Sequence, residues 1–179
     1  DREDRLDKWR QKENVGTTLK PYCTRLPTND ETLWPACERY LIQRGLCPDI
    51  AKANHWYGSY DAGDTEPRLV MPATSGQQGN VFWQARLLQM PGAIGSKGAA
   101  PARYQSPHGV TSGDAVIAVY PVLKYHRSLI EGALESVVVE GPMCALAAAE
   151  TGRLGIALMG ARPPEARLEL TAKLVRGTM

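Results

Sequence analysis

The sequence lacks the patterns that mark several large classes of protein. No apolar run approaches the roughly 20 residues that a membrane-spanning helix needs. The cysteines Cys23, Cys37, Cys47 and Cys144 form no CxxC pair, which argues against a zinc ribbon. The Walker sequence GxxxxGK[ST] and the hydrolase sequence GxSxG are also absent. These absences argue against a membrane protein, a zinc-ribbon domain, a P-loop ATPase and a serine hydrolase.

The features that are present are those of a globular protein from a reducing compartment. Hydrophobic residues make up 43% of the 179-residue chain and charged residues 22%. Residues 1–16 are highly charged, without the apolar stretch of a secretory signal peptide. Scattered cysteines without close pairing suit reducing conditions. We therefore expect a cytoplasmic protein.

Basic residues are concentrated in the middle of the chain. Residues 67–127 carry a net charge of +5, whereas the whole chain has +2, and their only acidic residue is Asp114. This asymmetry indicates a surface for a polyanion, and a solvated basic face explains it equally well. The basic residues of this segment are Arg68, Arg86, Lys97, Arg103, Lys124 and Arg127.

The N-terminal half is predicted to begin with helices. Residues 1–29 are polar, and Thr28 and Glu31 have the spacing of a capping box at the start of a helix. Gly45 predicts the end of that helix, and Pro48 the start of a second short one.

Two strands should follow, in "PRLVMP" and "NVFWQARLL", joined by the Gly-containing connection "ATSGQQG". In the second strand Val81, Trp83, Ala85 and Leu87 are predicted to share one face, with Arg86 on the other. An arginine in the middle of an apolar strand needs an anion or water beside it.

The C-terminal part has the pattern of a parallel sheet. "AVIAVY" predicts a third strand, followed by a helix near residues 122–132. A strand at 136–139, a helix near 143–151, a strand at 154–158 and a helix near 165–175 then alternate. This alternation is typical of parallel strands with crossover helices.

Glu140 stands at the end of the first of these C-terminal strands. Ligands of a parallel sheet gather at the carboxyl ends of its strands, and an ionised carboxylate there can bind a divalent metal or accept a proton. Gly141 permits close approach, and Pro142 suits a first helical turn. Taken alone, this short motif slightly favours a helix-start acid without chemistry.

Four segments, in order across Glu38–Gly160, resemble motifs of DnaG-type bacterial and phage primases. "YLIQRGL" resembles the helix that opens the primase core, and "RLVMP" with "GNVFWQARLL" resembles its hairpin. "ARYQSPHG" resembles its basic segment, and "VVVEGPMCALAAAETGRLGIALMG" the opening of its Toprim domain. Each segment alone is weak, and the four in order make a fairly specific match.

The resemblance implies an α+β fold in two lobes. Residues 1–29 would be a polar N-terminal segment, and residues 30–127 a mixed helical and antiparallel N-terminal lobe. Residues 128–179 would be a partial Toprim lobe with a parallel sheet, lacking the strand that carries the family's DxD motif. The cleft between the lobes would hold Glu140 opposite Arg86 and Arg103.

The resemblance also implies a function, namely synthesis of short RNA primers on single-stranded DNA by metal-dependent nucleotidyl transfer. Glu140 would be the catalytic residue and a ligand of Mg²⁺ or Mn²⁺. Arg86, Arg103 and Tyr104 would bind nucleotides and template, and we add Lys97, the only charge in "QMPGAIGSKGAAPA". The implied partners are the DNA template, nucleoside triphosphates and a replicative helicase, in a bacterium or a phage-infected host.

Two departures from the family leave the activity of the chain open. Cys144 stands where the family often has Asp, and a thiol is a poor ligand for magnesium, so we expect a small buried helix residue. No DxD occurs in the sequence, and the chain alone is expected to be inactive. It is then either a fragment of a primase or a truncated, non-catalytic relative that binds nucleic acid or a replication partner. Another Toprim activity, as in nucleases and topoisomerases, is a third alternative.

Overall fold

The computed structural model describes residues 25–76, 81–88, 102–108, 113–121 and 135–176. Lys97 and the predicted helix near residues 122–132 lie outside these ranges. None of the helices in the described ranges is both long enough and apolar enough to cross a membrane. The helices are a 3₁₀ turn Glu31–Leu33, α1 Trp34–Gln43, α2 Pro48–Ala53, α3 Pro142–Glu150 and α4 Glu165–Arg176. The strands are β1 Tyr57–Ser59, β2 Arg68–Ala73, β3 Phe82–Leu87, β4 Tyr104–Gln105, β5 Ile117–Val119, β6 Ser136–Val139 and β7 Leu154–Ala157.

The start of the first helix differs from the predicted capping box. Asp30 caps it instead, because its carboxylate accepts a hydrogen bond of 3.0 Å from the backbone N–H of Thr32. The Thr28 N–H donates to Asp61 at 2.7 Å, so Thr28 belongs to a contact outside the helix. A 3₁₀ turn then leads into α1, and the spacing from Thr28 to Glu31 has no role in starting it.

The end of α1 confirms the prediction for Gly45. This residue has a left-handed φ of +70°, and its N–H donates to the carbonyl of Ile42 at 2.9 Å. The N–H of Leu46 donates to the carbonyl of Leu41 at 3.0 Å, which completes a Schellman motif. α2 begins at Pro48, as predicted.

The first sheet is antiparallel, in the order β1-β2-β3-β4. The predicted alternation in β3 is confirmed for its central residues. Trp83 and Ala85 pack with Val70 in a small apolar cluster on one face. Arg86 lies directly opposite Leu69 of β2, whose side chain packs into the larger core on the other face.

The second sheet is mixed, in the order β5-β7-β6. β6 and β7 are parallel and joined through α3, as the alternating pattern predicts. β5, however, runs antiparallel to β7, so the sheet is not purely parallel. β5 also lies before the predicted lobe boundary at residue 127, although it hydrogen-bonds in the second sheet. The architecture is α+β, and the identification of its C-terminal part as a Toprim lobe stays a prediction.

One apolar core is shared by the two sheets. Leu41 of α1 and Met71 of β2 belong to the same buried cluster as Ile117 of β5 and Leu146 of α3. The isolated bridge between Thr74 and Val116 adds two hydrogen bonds, of 2.7 and 2.9 Å, between the end of β2 and the start of β5. Shared burial of this kind fixes the first sheet against the second.

Close packing of α3 on β7 depends on a glycine. A Cβ atom placed at Gly155 would lie 2.0 Å from the carbonyl oxygen of Ala145 in α3. This neighbour is backbone, so the helix itself would have to move. The absence of a side chain at Gly155 therefore sets the distance between α3 and β7.

We predict that Gly155→Ala destabilises the fold by about 3 kcal/mol, near the upper end for overpacked sites, because the clash is with a helix backbone. Urea unfolding measures the loss. Gly141→Ala is the matched control, since a Cβ there meets nothing within 4 Å and the backbone is extended at φ −122°. Equal stability of the two variants would contradict the packing argument.

Candidate nucleic-acid interface

Four side chains form a stacked group, which we call the arginine–tyrosine cluster: Tyr40, Arg44, Arg86 and Tyr104. The guanidinium carbon of Arg86 lies 4.9 Å from the ring centroid of Tyr104 and 5.8 Å from that of Tyr40. The guanidinium carbon of Arg44 lies 5.1 Å from the Tyr40 ring. All these distances are within the range of cation–π contacts.

Local geometry explains how the chain brings these four residues together. Tyr40 and Arg44 are four residues apart at the C-terminal end of α1, so their side chains are neighbours on the helix surface. Arg86 and Tyr104 are directly opposite each other on the antiparallel strands β3 and β4. Tyr40 belongs to the shared core, which places α1 over the face of the first sheet that carries Arg86.

Arg86 is the most unusual member of the cluster because it is buried without a counter-charge. Its side chain is 5% exposed, and among the described residues it forms no ion pair. Its Nε atom and the hydroxyl of Tyr40 are both buried without a hydrogen-bond partner in that part of the chain. Removing a cation from water costs several kcal/mol, and a cation–π contact offsets about 2 kcal/mol of this cost. A buried cation therefore normally has an anionic partner as well. Arg86 therefore keeps a buried donor without an acceptor among the described residues.

Tyr104 forms the open side of the cluster and is 38% exposed. Burial is the largest influence on its pKa and raises it, while the positive charges of Arg86 and Arg44 and a hydrogen bond with Arg86 lower it. The net effect raises the pKa of Tyr104 above its usual value. The phenol therefore stays protonated at neutral pH and presents an uncharged, partly accessible ring.

Arg103 precedes Tyr104 in the chain and is an exposed cation. Its carbonyl accepts a hydrogen bond of 3.1 Å from the N–H of Leu87, which extends the pairing of β3 with the segment before β4. Its side chain is exposed. The structure thus brings together two of the predicted binding residues, Arg86 and Tyr104, and adds Tyr40 and Arg44, while Arg103 pairs with β3 through its backbone. The role of Lys97 stays a prediction.

Glu140 lies at the carboxyl end of β6, and α3 begins immediately after Gly141. It is exposed and makes no hydrogen bond or ion pair within the described ranges. In those ranges no group of three His, Cys, Asp or Glu residues is arranged to hold a metal ion. The described residues therefore do not fit a complete magnesium site. The opposition of Glu140 to Arg86 and Arg103 stays a prediction.

Cys144 is exposed in the first turn of α3, and the prediction of a buried helix residue is wrong. The buried face of this helix carries Ala145, Leu146 and Ala149, and Cys144 lies outside it. Cys37 of α1 is the buried thiol instead, and burial raises its pKa to about 12. The side chain of Cys144 is thus accessible to solvent.

Arg68 of β2, another basic residue of the segment 67–127, has a structural role. It is fully buried in β2, and its Nε and Nη2 atoms donate to the carboxylate of Asp64 at 2.8 and 2.6 Å. Its Nη1 atom donates to the carbonyl of Ala102 at 3.0 Å. Arg68 therefore joins β2 to the chain before β4, and its charge is not available to a polyanion.

Comparison with protein-family models, with curated proteins and with solved structures finds no match for this chain. The argument for function therefore comes from the site itself. Tyr40 and Arg44 lie in the segment "YLIQRGL" and Arg68 in the basic segment, but the sequence did not indicate that the first two stack beside Arg86 or that Arg68 pairs with Asp64.

We predict that Asp64→Asn lowers the free energy of unfolding by about 3 kcal/mol at neutral pH, because it leaves the Arg68 charge buried without compensation. Hydrogen bonds and the charge of Arg68 hold the pKa of Asp64 below its usual value. The stabilisation is therefore present above the unfolded pKa of about 4 and is lost as the pH falls through the lower folded value.

Urea unfolding of both proteins across this pH range tests the prediction. The difference in stability between wild type and Asp64→Asn should shrink as the solution is acidified. Glu38→Gln, at an exposed position of α1, is the matched control. A difference that stays constant with pH would show that the carboxylate charge is not the stabilising feature.

Proposed function

We propose that the chain is the template- and nucleotide-binding core of a DnaG-type primase. In this proposal the arginine–tyrosine cluster, together with Arg103, binds single-stranded nucleic acid. One observation carries the proposal: Arg86 is 5% exposed, its guanidinium stacks on two tyrosines, and it has no carboxylate partner in the described ranges. A phosphate oxygen would supply the missing acceptor for this charge.

The composition of the cluster suits a nucleic acid more than a simple anion. Arginine offers a planar fork of N–H donors that matches the geometry of phosphate. A partly exposed tyrosine ring such as Tyr104 offers a face on which a base of any sequence can stack. Arg103, the exposed residue before it in the chain, would attract the backbone over a longer distance. Stacking and charge on adjacent residues are the two features that single-strand binding combines.

Primer synthesis is the catalytic part of the proposal and depends on Glu140. Mg²⁺ or Mn²⁺ would neutralise the triphosphate and activate the attacking hydroxyl, with nucleoside triphosphates as substrates and single-stranded DNA as template. Glu140 has the hard oxygen ligands that these ions prefer, and its position at a strand end leaves it open to solvent. Further carboxylates would be required, and no described residue beside Glu140 supplies them.

The lack of further carboxylates beside Glu140 among the described residues favours a second function. The chain would then be a primase-like protein without catalysis, which binds nucleic acid or a replication partner such as a helicase. The supporting observation is Cys144, which is exposed in the first turn of α3 and offers a soft thiol in place of an oxygen ligand. Both functions use the arginine–tyrosine cluster in the same way, and they differ only at Glu140.

We predict that Arg103→Ala and Tyr104→Ala each weaken binding of a fluorescein-labelled oligo(dT) by about tenfold, as expected for loss of one phosphate contact or one stacked base. Fluorescence anisotropy at several salt concentrations measures the affinity. Arg103→Ala should also reduce the salt slope by about 0.7, the value for one phosphate of a single strand, whereas Tyr104→Ala should not.

Arg86→Lys keeps the positive charge but removes the planar guanidinium group. It should therefore weaken binding of the oligo(dT) although the net charge of the protein stays the same. Arg162→Ala is the control, because this arginine is exposed in the loop before α4 and outside the cluster. If Arg162→Ala weakens binding as much as Arg103→Ala, the interaction is non-specific attraction to the whole surface.

A primer-synthesis assay separates the two functions, and it uses the full-length protein because this chain alone is expected to be inactive. We predict that Glu140→Gln lowers the yield of primers made with Mg²⁺ or Mn²⁺ by at least about 100-fold, because the amide cannot replace a charged metal ligand. Oligonucleotide binding should not change. Wild-type protein that binds oligo(dT) but makes no primers would favour the non-catalytic function, and normal activity of Glu140→Gln would refute the role of Glu140.

A further inference from the structure

A cavity of about 880 Å³ opens between the start of α1 and the end of α2. Its walls include Glu31, Trp34, Lys52, His55, Trp56 and Tyr57. None of these residues belongs to the arginine–tyrosine cluster. The volume is within the range of about 300–1,000 Å³ that is usual for small-molecule sites.

The walls of this cavity are aromatic and held in place. Trp56 is 2% exposed and belongs to the shared core. The hydroxyl of Tyr57 donates a hydrogen bond of 2.7 Å to the carbonyl of Pro27, which fixes the orientation of its ring. The Nζ atom of Lys52 lies 5.3 Å from the ring of Trp34, so a positive charge stands directly at an aromatic wall.

His55 marks the rim of the cavity and occupies an unusual position. It follows α2 with a left-handed φ of +60°, and its N–H donates to the carbonyl of Lys52 at 3.0 Å. The N–H of Trp56 donates to the carbonyl of Ala51 at 3.0 Å, so α2 ends in the same Schellman motif as α1. α1 has Gly45 at the equivalent position.

The contrast between these two helix ends indicates that the side chain of His55 has a use. Glycine adopts a left-handed conformation without strain, whereas a residue with a Cβ atom pays an energetic penalty. Nothing in the turn itself requires an imidazole. His55 also lines a second cavity, of about 530 Å³, and its side chain is exposed.

We propose that the 880 Å³ cavity binds a mononucleotide. The base would lie against the aromatic walls, and its phosphate would accept hydrogen bonds from Lys52 and His55, which line the same cavity. Glu31 lines it as well and offers an acceptor for an amino group of the base. Aromatic walls favour a planar ring, and hydrogen-bond donors with a positive charge favour an anionic group on that ring. This site is additional to the single-strand site of the proposed function and does not depend on it.

Titration with nucleotides, followed by tryptophan fluorescence corrected for absorption, tests the inference, because Trp34 and Trp56 line the cavity. The ligands are the four nucleoside monophosphates, the four nucleosides and inorganic tripolyphosphate. At least one monophosphate should change the fluorescence in a saturable way. Its nucleoside should bind about tenfold more weakly, as expected for loss of a charged hydrogen-bonded group, and tripolyphosphate should give no change.

Two variants examine the assigned residues without threatening the fold. Lys52→Met and His55→Gly should each weaken binding of that monophosphate about tenfold. His55→Gly should at the same time keep or raise the urea midpoint, because glycine suits the left-handed position. Lys173→Met, in α4 and outside the cavity, should have no effect on the affinity.

Three results would overturn the inference: no response to any of the four monophosphates, equal affinity for nucleoside and monophosphate, or unchanged affinity in His55→Gly. Lys52→Met should leave oligo(dT) binding unchanged, and Arg86→Lys should leave monophosphate binding unchanged. If Arg86→Lys abolishes both, the nucleotide binds at the arginine–tyrosine cluster. The cavity proposal then fails while the proposed function stands.

Discussion

Burying a guanidinium group costs free energy that other interactions must offset, and the first sheet meets this constraint in two different ways. Arg68 of β2 is neutralised by the carboxylate of Asp64 and by a backbone carbonyl, so its charge holds the first sheet together. Arg86 of β3 is compensated mainly by the faces of two tyrosines and keeps a buried N–H without an acceptor. The first arrangement is complete within the protein. The second leaves one donor without an acceptor among the described residues, which is why we propose a binding function for Arg86.

The position of Arg86 depends on the shared core. Tyr40 packs in the same cluster as residues of the second sheet, including Ile117 of β5 and Leu146 of α3. α3 in turn can approach β7 only because Gly155 has no side chain. A change at this contact would therefore shift the support behind Tyr40, although it lies in the other sheet. The position of Tyr40 and the packing of the second sheet are therefore linked through the shared core.

Local patterns in the sequence were sufficient for some of this architecture. The end of α1 at Gly45, the alternation in β3 and the β6–α3–β7 unit follow from backbone preference and hydrophobic period, which act over a few residues. The antiparallel pairing of β5 with β7 could not be predicted, since it depends on contacts between distant segments. The same holds for Tyr40 beside Arg86 and for the exposure of Cys144, which was predicted to be buried. Charge counting also failed for Arg68, because a formal charge does not reveal a buried partner.

Binding and catalysis make different demands on this chain. Binding needs stacked rings and a cation without a counter-charge. Both are present in the arginine–tyrosine cluster, which forms by residue spacing on α1 and by the pairing of β3 with β4. Metal-dependent transfer needs several hard oxygen ligands at one point, and Glu140 provides one carboxylate. The physical basis of the proposed single-strand site, stacked rings around a buried cation, therefore does not depend on the outcome at Glu140.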